Sequence, residues 1–132
     1  MSYPLQVDIT TGTVLSCERT FTRDDVERFA ELSGDHGRHH RVDSADGRLL
    51  VHGLLTATLP TKLGGDMNYI AAEMHFDFVA AVYTGDTIRC EVRVEEAVQG
   101  ERSNRLRLSG GCRNQHGAEV LRFASRGLIR RS

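Results

Sequence analysis

Three of the six histidines of this chain lie within one short run, Gly34-Asp35-His36-Gly37-Arg38-His39-His40, beside an aspartate. A carboxylate and an imidazole that meet in space form an acid/base pair, so this run offers Asp35 and one of its histidines for such a role. Further on, Val51-His52-Gly53-Leu54-Leu55-Thr56 opens the most apolar stretch of the sequence. Amides at a helix start point outward and favour developing negative charge. A proton-handling pair beside such a donor meets the needs of a reaction that passes through an enolate. Polar loops also gather His and Asp because both tolerate solvent. His36 and His39 are accordingly read as solvated loop residues. Asp35, His36, His39 and His40 are all metal-ligand types, yet they crowd into one loop with no i, i+4 spacing and no thiolate, so no metal is expected. His75 belongs to an outer strand face or an interface.

The elements that carry these residues follow from periodicity. Extended chain is expected from Val7 to Thr20, with a turn at Thr10 to Gly12. Thr22 then caps a helix: Asp24 and Asp25 fill its first turn, and Asp25 falls three residues after the cap. Val26, Phe29 and Ala30 recur at helical spacing with Leu32 beside them, and Gly34 stops the helix. Ser33 to Arg48 is polar and aperiodic, a loop. From Leu49 to Leu63, the apolar residues Leu54, Leu55, Ala57, Leu59 and Leu63 cover more than one face, which predicts a helix buried nearly all round. Thr56 and Thr58 are expected to bond the preceding turn, Pro60 to kink or end the helix, and Gly64 and Gly65 to close it. The second half alternates with period two at Met74–Phe78, Ile88–Val94, Leu106–Leu108 and Leu121–Phe123, the pattern of half-buried strands. Turns fall at Tyr83–Asp86, Gln99–Asn104 and Asn114–Gly117. This order is α+β: a long buried central helix against a curved antiparallel sheet.

A chain of 132 residues suits one domain, residues 1–132, with a core that needs no disulfide or metal. Its 39% hydrophobic and 27% charged residues are those of a globular protein. Seventeen basic against eighteen acidic residues, with no basic block, argue against nucleic acid as a partner. No apolar run approaches the ~20 residues of a membrane span, and Met1 to Thr11 has neither the positive start nor the apolar stretch of a signal peptide. Cys17, Cys90 and Cys112 are odd in number and far apart in sequence. They are expected to be reduced thiols of a cytoplasmic protein, with Cys90 a small core residue between Ile88 and Val92.

These segments and motifs resemble the MaoC-like family of hotdog-fold proteins, which includes the (R)-specific enoyl-CoA hydratases. The family's Asp-x-Asn-Pro-x-His follows a helix ending in Ser-Gly, as Ser33-Gly34-Asp35 to His40 does here. Val51-His52-Gly53-Leu54-Leu55-Thr56-Ala57 is similar to the family's His-Gly motif and small-residue-rich helix. Tyr83-Thr84-Gly85-Asp86-Thr87-Ile88 resembles its Gly-Asp-Thr turn into a strand. The departures are Gly37 and Arg38 in place of Asn and Pro, a short loop from His40 to His52, and Pro60 in the central helix.

The resemblance implies a single hotdog domain and a lyase. Such an enzyme hydrates a trans-2-enoyl thioester, carried on coenzyme A or an acyl carrier protein, or dehydrates the 3-hydroxyacyl product. It implies that Asp35 and His40 hold one water between base and proton donor, that the Gly53 amide receives the thioester oxygen, and that Thr61 lines the substrate pocket. Gly53 lacks a side chain, which is expected to let the thioester approach the backbone. No cofactor or metal is implied. A homodimer paired through the sheet is, and an acyl carrier protein is an open partner. Two other functions fit the same residues: a hotdog acyl-CoA thioesterase, and a non-catalytic subunit that binds acyl thioesters.

Overall fold

The computed structural model describes residues 8–131, so the expectation for Val7 lies outside the described residues. After a turn in which Gly12 takes a φ of 93° and the Thr13 amide bonds Thr10 O, the chain runs as strand β1 (Val14–Thr20) into helix α1 (Arg23–Ser33). The helix opens on a capping box. The Asp25 amide donates to the Thr22 hydroxyl at 3.2 Å, and the Thr22 amide donates to the Asp25 carboxylate at 3.0 Å. Partial burial pushes the Asp25 carboxyl up, but the Thr22 amide and the Arg19 guanidinium outweigh it and hold it below the usual carboxylate range. Gly34 ends the helix at φ 78°, its N–H on Ala30 O. Val26 and Ala30 are buried and Phe29 half-buried, whereas Leu32 points into solvent.

The apolar run forms two helical pieces, α2 (Gly53–Thr56) and α3 (Thr58–Asp66), which meet at Ala57. The sequence places the break at Pro60 itself, and it lies ahead of that residue, at Ala57. Pro60 has no N–H for the Thr56 carbonyl four residues back, and its ring crowds that carbonyl, so the disruption appears next to the deprived acceptor. Leu55, Ala57, Leu59 and Leu63 are buried, but Leu54 is 60% exposed, and Thr58, Thr61 and Lys62 are exposed as well. The expectation of burial all round therefore fails within this chain, because the sheet covers only one side of the rod.

That sheet has five antiparallel strands in the order β1-β3-β4-β5-β2. The new strands are β2 (Tyr69–Phe78), β3 (Thr87–Gln99), β4 (Ser103–Arg113) and β5 (Glu119–Arg130). Ile88, Cys90, Val92 and Val94 of β3 are all buried, and so are Leu106, Leu108, Leu121 and Phe123 beside them. These residues form one inner face, and their outward neighbours are charged. β2 departs from the expected half-burial. It is an edge strand on which Ile70, Met74 and Phe78 are exposed, while Phe76 stacks on Phe123 at 5.6 Å. Adjacent strands approach closely at Gly110, where a Cβ would lie 2.1 Å from the Glu91 carbonyl oxygen.

Thr22→Ala is expected to cost about 1 kcal/mol, roughly 4 °C in Tm for a domain of this size. Gly110→Ala should cost more, because the obstructing atom is backbone of a central strand. Calorimetry of the two variants orders them.

Candidate active site

The Tyr83–Asp86 turn anchors the segment from which the site hangs. Buried Asp86 accepts from the Tyr83 amide at 2.8 Å and from Gln115 Nε2 at 2.8 Å, with Arg48 Nη1 at 3.3 Å. The turn then grips the neighbouring chain. The Leu49 amide donates to the Thr84 hydroxyl (3.1 Å), the Thr84 amide to Leu49 O (2.9 Å), and the Val51 amide to Val82 O (2.8 Å). Leu49–Val51 is thus held like a short strand. The Leu50 amide in turn donates to His39 O at 3.1 Å, which docks the 3₁₀ turn Arg38–His40 against it.

On this seat the ring of His40 is 5% exposed, and its Nδ1 donates to Leu50 O at 2.7 Å. A carbonyl only accepts, so Nδ1 carries the proton and Nε2 presents its lone pair in the neutral ring. Asp35 Oδ2 lies 3.7 Å from that Nε2, too far for a direct hydrogen bond and suited to a shared water. The other carboxylate oxygen, Oδ1, accepts from the Gly37 amide at 3.1 Å. The Asp35 main chain is pinned on both sides: its amide donates to Ser33 Oγ at 3.0 Å, and its carbonyl accepts from His52 Nε2 at 2.9 Å. His52 is buried and stacks on His40, with ring centroids 3.6 Å apart and planes 15° apart. It therefore fixes both members of the pair. The Gly37 amide, followed by the imidazoles of His40, His52 and His39, holds the Asp35 carboxyl below the usual carboxylate range.

The pair opens on a cavity of about 700 Å³ bounded by Phe29, Leu50, Leu54, Phe78, Val82 and Val120, with Gly53 and Thr56 at the start of α2. Among the described residues, no acceptor takes the Gly53 N–H. The space that a Gly53 side chain would occupy is filled by Phe78, whose ring lies 2.7 Å from the position of a Cβ. The bare Cα thus accommodates an aromatic ring, and the expectation that it clears room for substrate is corrected. Among the described residues, buried Thr56 Oγ1 has no partner, so the bond to the preceding turn expected of it is not made. Thr58 does bond the preceding turn, at Leu55 O. His39 also lines the cavity, edge-on to His40 at 4.0 Å, and does not simply face solvent. Thr61 lies outside the lining on the open side of α3, its hydroxyl donating to Ala57 O at 2.9 Å. His75 is exposed on the edge strand beside Asp77.

A scan against family models finds no match, and no curated protein sequence matches. Solved structures do. An (R)-hydratase of A. caviae involved in PHA biosynthesis is 25% identical, with a TM-score of 0.79 over 95% of this chain and 98% of that one. An (R)-hydratase of Pseudomonas aeruginosa is 20% identical, with a TM-score of 0.81 over 92% of this chain and 82% of that one. A MaoC-like dehydratase of Rhodospirillum rubrum is 17% identical, with a TM-score of 0.76 over 94% of each chain. The chain has the hotdog fold of these structures.

Within the MaoC-like motif, Gly37 stands where the pattern has Asn, and here its amide does the holding, donating to Asp35 Oδ1. A Cβ on Gly37 would lie 3.1 Å from His39 and 3.2 Å from Asp35 Oδ1, so a larger residue must displace one of them. One atom each of Asp35, His40 and His52 falls within a 4.8 Å cluster, the spacing of a metal site. The two rings are nearly parallel and stacked, however, so their in-plane lone pairs do not converge on one ion. Among the described residues, no helix is long and apolar enough to cross a membrane.

The Asp35 carboxyl should titrate below ~3.9, the value of a free aspartate. Its folded pKa is depressed, so its contribution to stability is complete above that value and fades as pH falls through the folded pKa. Carbon-detected NMR titration reads the midpoint. Gly37→Pro, whose φ of −52° proline accepts, removes the donor and crowds Asp35 Oδ1 away from it, and should move the midpoint upward.

Proposed function

We propose that this chain is a hydro-lyase that adds water to a trans-2-enoyl thioester, on coenzyme A or an acyl carrier protein, and catalyses the reverse dehydration. The reading rests on one observation, the free Nε2 lone pair of His40 facing the unpaired oxygen of Asp35 across 3.7 Å at the mouth of an apolar cavity. A water there donates one hydrogen to His40 Nε2 and the other to Asp35 Oδ2. As its oxygen bonds to the β-carbon, the electrons of the double bond move toward the thioester carbonyl, and His40 takes the proton. The resulting imidazolium, steadied by ionised Asp35, returns that proton to the α-carbon. Hydroxyl and hydrogen are both accounted for, and nothing is oxidised or reduced, so the reaction calls for no redox cofactor.

The carbonyl oxygen gathers charge at the Gly53 amide, and a donor of this kind is worth about 3 kcal/mol of barrier. His52 serves as a positioning residue through Asp35 O and the His40 ring face. Thr61 has no place in this pocket. The solved structures of similar fold support the reading, since they include (R)-hydratases and the 3R-hydroxyacyl-ACP dehydratase complex of Mycobacterium tuberculosis.

A homodimer is part of the proposal. Ile70, Met74 and Phe78 on β2, and Val79 just beyond it, expose apolar surface beside a strand edge with unpaired main-chain groups. Light scattering should give the mass of two chains, and a monomer would remove this part.

With crotonyl-CoA, the protein should bleach the absorbance of the conjugated thioester. Asp35→Asn and His40→Ala should each slow this about a thousandfold. An undiminished rate in either variant would sink the assignment. Thiol released from a saturated acyl-CoA would move the activity to thioester hydrolysis.

A further inference from the structure

The three cysteines, distant in sequence, stand in one row. Cys17 of β1 is the register partner of Cys90 of β3, and Cys90 is the partner of Cys112 of β4. All three belong to the inner face: Cys90 and Cys112 are 0% and 1% exposed, and half-buried Cys17 reaches toward Leu59 O of α3. Nothing in the proposed hydration uses them.

The two pairs differ in kind. Val94 donates its amide to Thr13 O and accepts the Gly12 amide on its own carbonyl, so both its main-chain groups point toward β1. Cys90 lies an even number of residues away on the same strand, with no bulge between, and shares that orientation. Cys17–Cys90 is therefore a hydrogen-bonded pair, with the Cα atoms about 5.5 Å apart and the side chains held apart. Cys90–Cys112 is a non-hydrogen-bonded pair, with the Cα atoms about 4.5 Å apart and the side chains closest. Both separations fall within the disulfide range, and the second suits the Cβ spacing of a disulfide better.

We propose that Cys17, Cys90 and Cys112 form a thiol relay that stores an oxidising equivalent as a buried Cys90–Cys112 disulfide. The oxidant is a small hydroperoxide. Cys17 sulfur attacks its outer oxygen, giving a sulfenic acid and the alcohol, or water when the oxidant is hydrogen peroxide. Cys90 sulfur displaces hydroxide from that sulfenic acid, and the lost thiol proton makes it water. This gives a Cys17–Cys90 disulfide. Cys112 sulfur then attacks Cys90 and expels the Cys17 sulfur, which takes the proton that Cys112 loses. Two thiols are oxidised and one hydroperoxide is reduced. Exchange at sulfur requires attacker, centre and leaving group nearly in line, and neighbouring strands of one sheet supply that line with Cys90 in the middle. The poorer fit of the first pair drives the bond inward. Burial holds the Cys17 thiol above its ordinary range despite nearby Lys62, and the Cys112 hydrogen bond and burial do the same for Cys90. These shifts keep the thiolate fraction low, so the relay runs slowly and the row stays reduced until the hydroperoxide accumulates.

The test treats the folded protein with tert-butyl hydroperoxide, removes the oxidant, unfolds the chain in denaturant with N-ethylmaleimide to block free thiols, and maps tryptic peptides without reduction. Arginines separate the three cysteines, so each lies in its own peptide. The expected product links the Cys90 and Cys112 peptides, leaves Cys17 alkylated, and melts at a higher temperature until dithiothreitol is added. Cys17→Ser should slow the bond roughly tenfold by removing the outermost thiol, and Cys112→Ser should trap Cys17–Cys90. Three alkylated cysteines in a protein still folded by circular dichroism would overturn the proposal, as would an unchanged rate in Cys17→Ser.

Discussion

Because a carbonyl oxygen can only accept, the 2.7 Å contact between His40 Nδ1 and Leu50 O fixes the tautomer of the ring and thus the atom presented to Asp35. If Leu50 O were turned away, either nitrogen could carry the proton, and the lone pair facing the carboxylate would be lost part of the time. Leu50 O points inward because its neighbours Leu49 and Val51 are bonded to Thr84 and Val82. Those residues in turn are placed by a turn built on buried Asp86, with Gly85 at a φ of 95°. The Gly-Asp-Thr motif, remote from Asp35 in sequence, is thus the foundation of the Asp35–His40 geometry. It touches no part of the cavity itself.

Asp35 is held differently. Its carboxylate is 57% exposed, yet its amide, its carbonyl and one carboxylate oxygen all have protein partners, which leaves Oδ2 as the unbound atom. His52 serves twice here, donating to Asp35 O and stacking on His40. The same stacking that aligns the pair makes the histidines poor co-ligands for one ion. The two properties are one geometric fact: rings packed face to face cannot aim their nitrogens at a common point. The same geometry is compatible with the acid/base role proposed for Asp35 and His40.

Much of this was legible in the sequence, and the reasons for the rest are specific. The capping box of Thr22 and Asp25, the stop at Gly34 and the period-two strands are local features governed by near neighbours, and they appear where expected. The proximity of Asp35 to His40 was legible through motif order. Other features depend on partners distant in the chain. The break at Ala57 arises because proline acts on the carbonyl four residues behind it. Leu54 and the residues of β2 are apolar but exposed, since periodicity marks an apolar face without saying whether the same chain covers it. Gly53 shows no sign in sequence that Phe78 would lie against it. The cysteines looked unrelated because strand register, which sequence spacing does not encode, is what sets them side by side.

Phe78 links the edge strand to the chemistry. It ends β2, is 54% exposed, and packs its ring against the Cα of Gly53, the residue whose amide is free at the start of α2. A half-exposed aromatic side chain has alternative rotamers unless a neighbour removes them. Anything that covers β2 therefore restricts Phe78, and restricting Phe78 fixes the floor beneath the Gly53 amide. Burying the exposed strand and ordering the surroundings of the Gly53 amide, the proposed oxyanion donor, are then coupled events. An isolated chain would retain Asp35 and His40 in register while leaving the donor less well defined.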